Sequence, residues 1–229
     1  MTHEIRLILP VNVEGLRLEE DVQEFGVSDA RISVQVLKKA SPTEDGRIDT
    51  NVAIPEMVGF AIAAERDGID AVLVDCMGDT GLSAIREAVS IPALGPAQTA
   101  MYFAAMLGRK FSVLTSLPEH HTQIRELARS YDLETHLGPP RSLGMSVLAA
   151  MNEVERTKKV LSQEAIKAVR EDETEVIILG CTSMSGMGPG IKADLANANI
   201  KGIPVIDPIP LAIRTASIMI ACDLSHSQI

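Results

Sequence analysis

The sequence is poor in aromatic residues, which make up only 3% of its 229 residues and include no tryptophan. Proteins that bind single-stranded nucleic acid stack bases on aromatic side chains, so this composition argues against that role. An excess of positive charge is absent too. The net charge of −10 would repel polyanions, so DNA, RNA and anionic membranes are not expected partners.

Cysteine is scarce, and the three that occur lie far apart, which does not suit a disulfide framework. The opening stretch "MTHEIRLILPV" lacks the basic start and the long apolar core of a signal peptide. No apolar run approaches the roughly 20 residues that a membrane helix needs. We therefore expect a protein of a reducing compartment, the cytoplasm.

What the sequence does contain is a regular alternation of short apolar runs and segments of helical periodicity. Continuous apolar strands separated by helices indicate parallel sheets that are covered by helices on both faces. The sequence therefore predicts an α/β fold. Among its helices we expect one from about Ile54 to Arg66, one with Pro118 near its first position, and a last one from about Leu211 to Cys222.

An internal repeat organises these segments. The spacing from Leu7 to Ser112, in two apolar runs, equals the spacing from Cys76 to Cys181, and each of these cysteines ends an apolar run. A third pair of landmarks follows, "SIPALGP" and later "GIPVIDP". We interpret the repeat as two pseudo-symmetric lobes, each a mainly parallel sheet flanked by helices.

The lobe that carries Cys76 is predicted to comprise residues 1–97 and 208–229, and the lobe that carries Cys181 residues 98–207. Ligands of open parallel sheets bind beyond the carboxyl ends of the strands, where both cysteines are expected. We therefore predict an active site in a cleft between the lobes, with one thiol on each side.

Two opposed thiols suit one reaction in particular. A thiolate removes a proton from a carbon acid, and the other thiol delivers a proton to the opposite face, which inverts a stereocentre without a cofactor. The N–H groups of a loop that leads into a helix favour the thiolate and hold an anionic oxygen. Against this, Asp75 and Asp79 flank Cys76, and carboxylates oppose a nearby thiolate. We expect Asp79 to cap the next helix or to orient a loop amide.

The loops around the two cysteines resemble those of a known family. "DCMGDTGL", "LGCTSMSG" and "GRKFSVLTS" are similar to segments of the aspartate/glutamate/hydantoin racemase superfamily, in particular its hydantoin and allantoin racemase branch. The resemblance implies a cofactor-independent racemase with Cys76 and Cys181 as its acid and base. It implies a small substrate with an acidic C–H beside a carbonyl, such as a 5-substituted hydantoin or allantoin, and a homo-oligomer.

The same resemblance implies which residues contact the substrate, namely Asn12, Met77, Gly78, Thr115 and Thr182. Behind them, we expect supporting roles for Asp79, Ser116 and Ser183.

Several alternatives stay open at this point. A maleate-type isomerase, an arylmalonate-type decarboxylase or a racemase of an acidic amino acid would use a related thiol mechanism, and a two-lobe binding protein would use none. "PEHH" places His120 and His121 side by side, where they point in different directions on a helix, so we expect a solvated first turn. Metal-binding motifs are absent, and we predict no metal. Cys222 is interpreted as a packing residue of the last helix.

Overall fold

The structure, a computed structural model, describes residues 2–11, 17, 30–37 and 47–227, of which 47–50 are described by their backbone alone. The chain divides into two compact units, Met1–Pro96 with Ile209–Ile229, and Ala97–Pro208. In the part of the chain that the structure describes, no helix is long and apolar enough to cross a membrane.

Eight strands and eight helices follow one another in the described residues. In chain order they are β1 His3–Leu9, β2 Ala30–Val36, α1 Arg47–Arg66, β3 Ala71–Val74, α2 Leu82–Ala88, β4 Ala93–Leu94, α3 Pro96–Leu107, β5 Phe111–Thr115, α4 His120–Ser130, β6 Arg141–Ser142, α5 Val147–Asn152, α6 Val154–Asp172, β7 Val176–Leu179, α7 Gly188–Asn197, β8 Val205–Ile206 and α8 Pro208–Ala221. Short 3₁₀ turns lie at Glu134–His136 and Thr182–Met184.

The strands form two sheets with the same topology. The first has the order β2-β1-β3-β4 and the second the order β6-β5-β7-β8, and all pairs are parallel. The first strand of each unit thus lies between its second and third strands. The predicted fold class, two α/β lobes that each hold a parallel sheet flanked by helices, is confirmed.

The central strands are buried along their whole length, which explains their continuous apolar sequences. β3 reads "AVLV" and β7 reads "VIIL", and every residue of both is buried. Side chains three and four residues apart on one helix cover each strand, because that spacing places them on the same face. Met57, Ala61 and Ala64 of α1 do so in the first unit, and Leu161, Ala165 and Ala168 of α6 in the second.

Three details differ from the sequence prediction. Helix α1 begins at Arg47, not near Ile54, because the helix continues through Pro55. Helix α4 begins two residues after Pro118, whose carbonyl accepts a hydrogen bond from the His121 N–H at 3.0 Å. The prediction missed β6, which has only two residues and follows two prolines, so no hydrophobic alternation marks it.

Candidate active site

Cys76 lies two residues beyond the end of β3, at the carboxyl edge of the first sheet. The Gly78 N–H donates a hydrogen bond to its sulfur, with N and Sγ 3.3 Å apart. The Asp79 N–H donates to the Cys76 carbonyl at 3.0 Å, which closes a tight turn before α2. Cys76 is half-buried. A main-chain donor aimed at the sulfur stabilises negative charge there.

Cys181 holds the same place in the second unit, two residues beyond the end of β7. Its sulfur lies 3.0 Å from the Ser183 hydroxyl, and either group can donate. The Met184 N–H donates to the Cys181 carbonyl at 3.0 Å, within the 3₁₀ turn that follows the cysteine. Cys181 is half-buried as well. Each thiol therefore has a polar partner two residues further along the chain.

A buried ion pair lies beside Cys76 in sequence. Nε of Arg17 donates to Oδ2 of Asp75 at 2.7 Å, and a second guanidinium nitrogen donates to Oδ1 at 3.2 Å. The two side chains are only 6% and 0% exposed. Sequence reasoning treated Asp75 as a free carboxylate that opposes a Cys76 thiolate; its charge is instead balanced by Arg17. No local pattern in the sequence marks Arg17 as this partner.

Asp79 is buried in the turn after Cys76, in a left-handed conformation with φ of 47°. The N-cap residue of helix α2 is Gly81 and not Asp79, so the expectation that Asp79 caps this helix is wrong. The carboxyl group of Asp79 lies directly over Gly95, where a Cβ would collide with it. Gly95 follows β4, the strand that pairs with β3.

A second carboxylate holds the loop after Cys181, and sequence reasoning did not single it out. Asp207 follows β8, and the Ser185 hydroxyl donates one proton to its carboxylate, whose two oxygens lie 2.9 and 3.0 Å from the hydroxyl oxygen. The carboxylate also accepts a hydrogen bond from the Gly186 N–H at 2.6 Å. The available signal was the repeated Ile-Pro landmark, since "GIPVIDP" ends in this aspartate and its proline.

Two predicted residues stand at the carboxyl end of β5. Thr115 is fully buried, and its hydroxyl donates to the carbonyls of Leu117 at 3.0 Å and Arg141 at 3.3 Å. Ser116 is fully buried too, and its hydroxyl has no hydrogen-bond partner among the described residues. A buried hydroxyl without a partner costs free energy.

His121 lies near this strand end, because the Arg141 main chain that Thr115 contacts is close enough to the ring to raise its pKa. Its Nε2 atom is buried and lacks a partner within the described part of the chain. Burial lowers the pKa of the imidazole, and the positive charge of Arg125 lowers it further. The expectation of a solvated first turn is therefore wrong for this ring.

The other residues predicted to contact the substrate differ in burial and in the groups that they present. The side chains of Met77 and Thr182 are buried, at 5% and 6% exposure. Gly78 offers only its main chain. Asn12 lies outside the described residues.

The third thiol, Cys222, is exposed just after the end of α8, so its interpretation as a packing residue is wrong. Within the described ranges, no three His, Cys, Asp or Glu side chains are grouped so that they could hold a metal ion.

The chain is similar to known proteins over most of its length. The Asp/Glu/Hydantoin racemase family model matches residues 17–216. A hydantoin racemase of Pseudomonas sp. (strain NS671) is 30% identical over 209 residues, which are 90% of this chain and 82% of that protein. The hydantoin racemase of Rhizobium meliloti is 31% identical over 185 residues, 81% of this chain and 74% of its own.

Solved structures agree on the fold. The allantoin racemase from Klebsiella pneumoniae superposes with a TM-score of 0.88 at 24% identity, over 99% of this chain and 91% of its own. The family model and the hydantoin racemase relatives confirm the resemblance to this family, on its hydantoin racemase side, and the prediction of an isomerase. With the family model covering most of its length, the chain belongs to the Asp/Glu/hydantoin racemase family.

Proposed function

We propose that this protein racemises a 5-substituted hydantoin or an allantoin-like ring, with Cys76 and Cys181 as acid and base on opposite faces of the substrate. One observation carries the proposal. Both half-buried thiols lie two residues beyond equivalent strands of two sheets with the same order, and each has a polar partner two residues on. The names of the hydantoin racemases to which the chain is similar support the substrate class.

The proposed reaction needs no electron transfer. The thiolate on one face takes the proton from the ring carbon that carries the substituent, and the electron pair of that C–H bond moves into the adjacent carbonyl as an enolate. The thiol on the other face then gives its proton to the same carbon, which inverts it. The two sulfurs end with exchanged protonation states, so the reverse turnover uses them in swapped roles.

The developing enolate oxygen requires hydrogen-bond donors that are already in position. Main-chain N–H groups of the two cysteine loops, at Met77 and Thr182, are the proposed donors, and Gly78 is a proposed contact whose own N–H is directed at the Cys76 sulfur. Thr115 is the proposed acceptor for a ring N–H, because its own proton is committed to main-chain carbonyls. Asn12 remains a proposed contact from the sequence. Asp79, Ser116 and Ser183 are proposed to support this set.

The test follows optical rotation and deuterium uptake at the ring carbon in D₂O, with a panel of 5-substituted hydantoins, allantoin, aspartate and glutamate. We expect at least one hydantoin or allantoin to lose its rotation and to take up one deuterium per inversion. The variant Cys222→Ser is the matched control, because it removes a thiol outside the proposed site and should leave the rate unchanged.

Other outcomes identify the alternatives. Release of CO₂ from an arylmalonate, a cis–trans change of maleate, or racemisation of aspartate or glutamate alone would each replace the proposed substrate. A binding protein would show no turnover, and both site thiols would react slowly with iodoacetamide whether or not ligand is present.

Two further predictions from the sequence concern the setting of this reaction. We propose a cytoplasmic location and a homo-oligomeric assembly. Cell fractionation tests the first, and light scattering coupled to size-exclusion chromatography tests the second, where a mass of one chain would contradict it.

A further inference from the structure

In each unit, one carboxylate connects the cysteine loop to the residue that follows the neighbouring strand. The loop carries this carboxylate in the first unit, and the residue after the neighbouring strand carries it in the second. The strand registers make the two places equivalent. Leu73 pairs with Leu94 in the first sheet, and Ile178 pairs with Ile206 in the second. Each cysteine lies three residues after the first member of its pair, and the residue after the second member is Gly95 in one unit and Asp207 in the other.

In the first unit, the loop supplies the carboxylate. Asp79 is part of the turn after Cys76, and Gly95 makes room for its carboxyl group by having no side chain. The Asp79 N–H is also bonded to the Cys76 carbonyl. The position of this carboxyl group is therefore tied to the position of the thiol.

In the second unit, the neighbouring strand supplies the carboxylate. Asp207 accepts one proton from the Ser185 hydroxyl, shared between its two oxygens at 2.9 and 3.0 Å, and the Gly186 N–H at 2.6 Å. The Ser185 N–H in turn donates to the Thr182 carbonyl, the residue directly after Cys181. Hydrogen bonds to an ionised acceptor are among the strongest that a protein makes, so this contact fixes the loop.

We infer that Asp207 is a positioning residue for Cys181, and that Asp79 is its counterpart for Cys76. Neither carboxylate is proposed to exchange protons with substrate. Each sets the place of one thiol through the loop that carries it. The catalytic consequence rests on the proposed racemase function, but the positioning itself does not depend on it.

The experiment measures how fast each thiol reacts with iodoacetamide in the folded, full-length protein. Trypsin cuts after Arg66, Arg86, Arg170, Lys192 and Arg214, so the three cysteines fall in separate peptides and one mass-spectrometric measurement reports all three rates. The variants are Asp207→Asn and Asp79→Asn, each of nearly the same volume as the wild-type side chain. The third thiol, Cys222, is the internal reference.

We expect Asp207→Asn to speed the alkylation of Cys181 by about threefold or more, because a charged hydrogen-bond acceptor is lost and the half-buried thiol gains access. The Cys76 rate should stay unchanged. Asp79→Asn should show the reverse pattern. Asp194→Asn is the matched control, because Asp194 also accepts a serine hydroxyl, from Ser162 at 2.6 Å, but among the described residues its carboxylate has no hydrogen bond to the loop of Cys181.

Ser185→Ala provides a second variant if Asp207→Asn folds poorly. It removes the hydroxyl that donates to Asp207 while it keeps the carboxylate and the Gly186 contact. The Cys181 rate should rise here too, by a smaller factor. Equal acceleration of Cys76 and Cys181 in Asp207→Asn, or an unchanged Cys181 rate, would overturn the inference.

Turnover then separates this inference from the proposed function. If racemisation occurs, Asp207→Asn should lower kcat more than it raises KM, since it displaces a reacting group and leaves the other contacts in place. If the labelling pattern appears as expected but no hydantoin or allantoin is racemised, the proposed function fails and the positioning role stands.

Discussion

The two cysteine loops share a backbone plan but differ in the side chains around it. Before Cys76 stands Asp75, which is buried in an ion pair with Arg17. Before Cys181 stands Gly180, where a Cβ would lie 2.7 Å from the Leu114 carbonyl oxygen. The sulfur of Cys76 accepts from a main-chain N–H, whereas that of Cys181 meets a serine hydroxyl.

The repeat preserves the placement of the thiols and not their electrostatic surroundings. The proposed mechanism needs both thiols to take and to give a proton, yet the two enantiomers are mirror images and would present different groups to each thiol. In the first unit a buried ion pair directly precedes the cysteine, whereas in the second unit glycine precedes the cysteine and the carboxylate of Asp207 contacts the loop further along the chain. Variants at matched positions can therefore separate what the shared backbone does from what each side chain does.

The largest effect is expected from removing either thiol. Under the proposed function, Cys76→Ser and Cys181→Ser should each lower the racemisation rate by roughly 10²–10⁴-fold, the usual contribution of a general acid or base. A second expectation distinguishes the two variants. The remaining thiol should still exchange the ring proton of one enantiomer, and the two variants should differ in which enantiomer that is.

Deuterium uptake measured separately on each pure enantiomer provides the check. If both variants exchange the same enantiomer, or if either one racemises at the wild-type rate, the two-thiol mechanism is wrong.

The next effect concerns stability and is confined to the first unit. Arg17→Gln leaves the buried Asp75 carboxylate without its cation, and loss of one partner of a buried ion pair costs about 3–5 kcal/mol. Urea unfolding measures the change. The double variant Arg17→Gln with Asp75→Asn is the control, and it should recover part of the loss. A single variant as stable as the wild type would show that this pair is not a structural difference between the halves.

The matched change in the second unit is Gly180→Ala. The added methyl group would meet the Leu114 carbonyl oxygen and a Val113 methyl group at 2.7 Å, so the backbone of β5 or β7 must shift. Overpacking of this kind costs about 1–3 kcal/mol. Gly190→Ala is the control, since a Cβ there meets nothing within 4 Å. Equal midpoints of urea unfolding for the two variants would contradict the close approach.

A smaller effect is expected where the thiols have different partners. Ser183→Ala removes the hydroxyl that lies 3.0 Å from the Cys181 sulfur. A lost hydrogen bond of this kind is worth about 1 kcal/mol, so alkylation of Cys181 should slow by about fivefold. The Cys76 rate should not change, because its partner is the main chain of Gly78. Faster labelling of Cys181 would mean that the hydroxyl shields the sulfur and does not stabilise its anion.

Much of this arrangement could be predicted from the sequence, for identifiable reasons. β3 and β7 are unbroken apolar runs, so their burial and the position of the following cysteines could be predicted. The ion pair between Arg17 and Asp75 joins residues far apart in the chain, and no periodicity encodes such a contact. Asp207 was visible as a landmark of the repeat, but its contact depends on the register between β7 and β8.

The smallest expected effect is a loss of folding stability at acid pH, and it is expected in the second unit, where His121 lies. The folded-state pKa of His121 is lowered from 6.5 by burial and by Arg125, with His120 acting in the same direction and Glu119 and the Arg141 main chain opposing. The unfolded chain therefore binds more protons here than the folded protein. Stability due to this group is complete above about pH 6.5 and is lost as the pH falls toward the folded pKa.

Because the ring is only half-buried, solvent screening limits the change to a few tenths of a kcal/mol. The measurement is the free energy of urea unfolding between pH 7.5 and 5, in roughly half-unit steps, for the wild type and His121→Asn. The variant should lose less stability than the wild type over this range. Arg125→Gln should move the wild-type slope in the same direction, because it removes the charge that depresses the His121 pKa. If the free energies of unfolding of His121→Asn and the wild type change in parallel with pH, protonation of His121 does not contribute to the acid sensitivity of the protein.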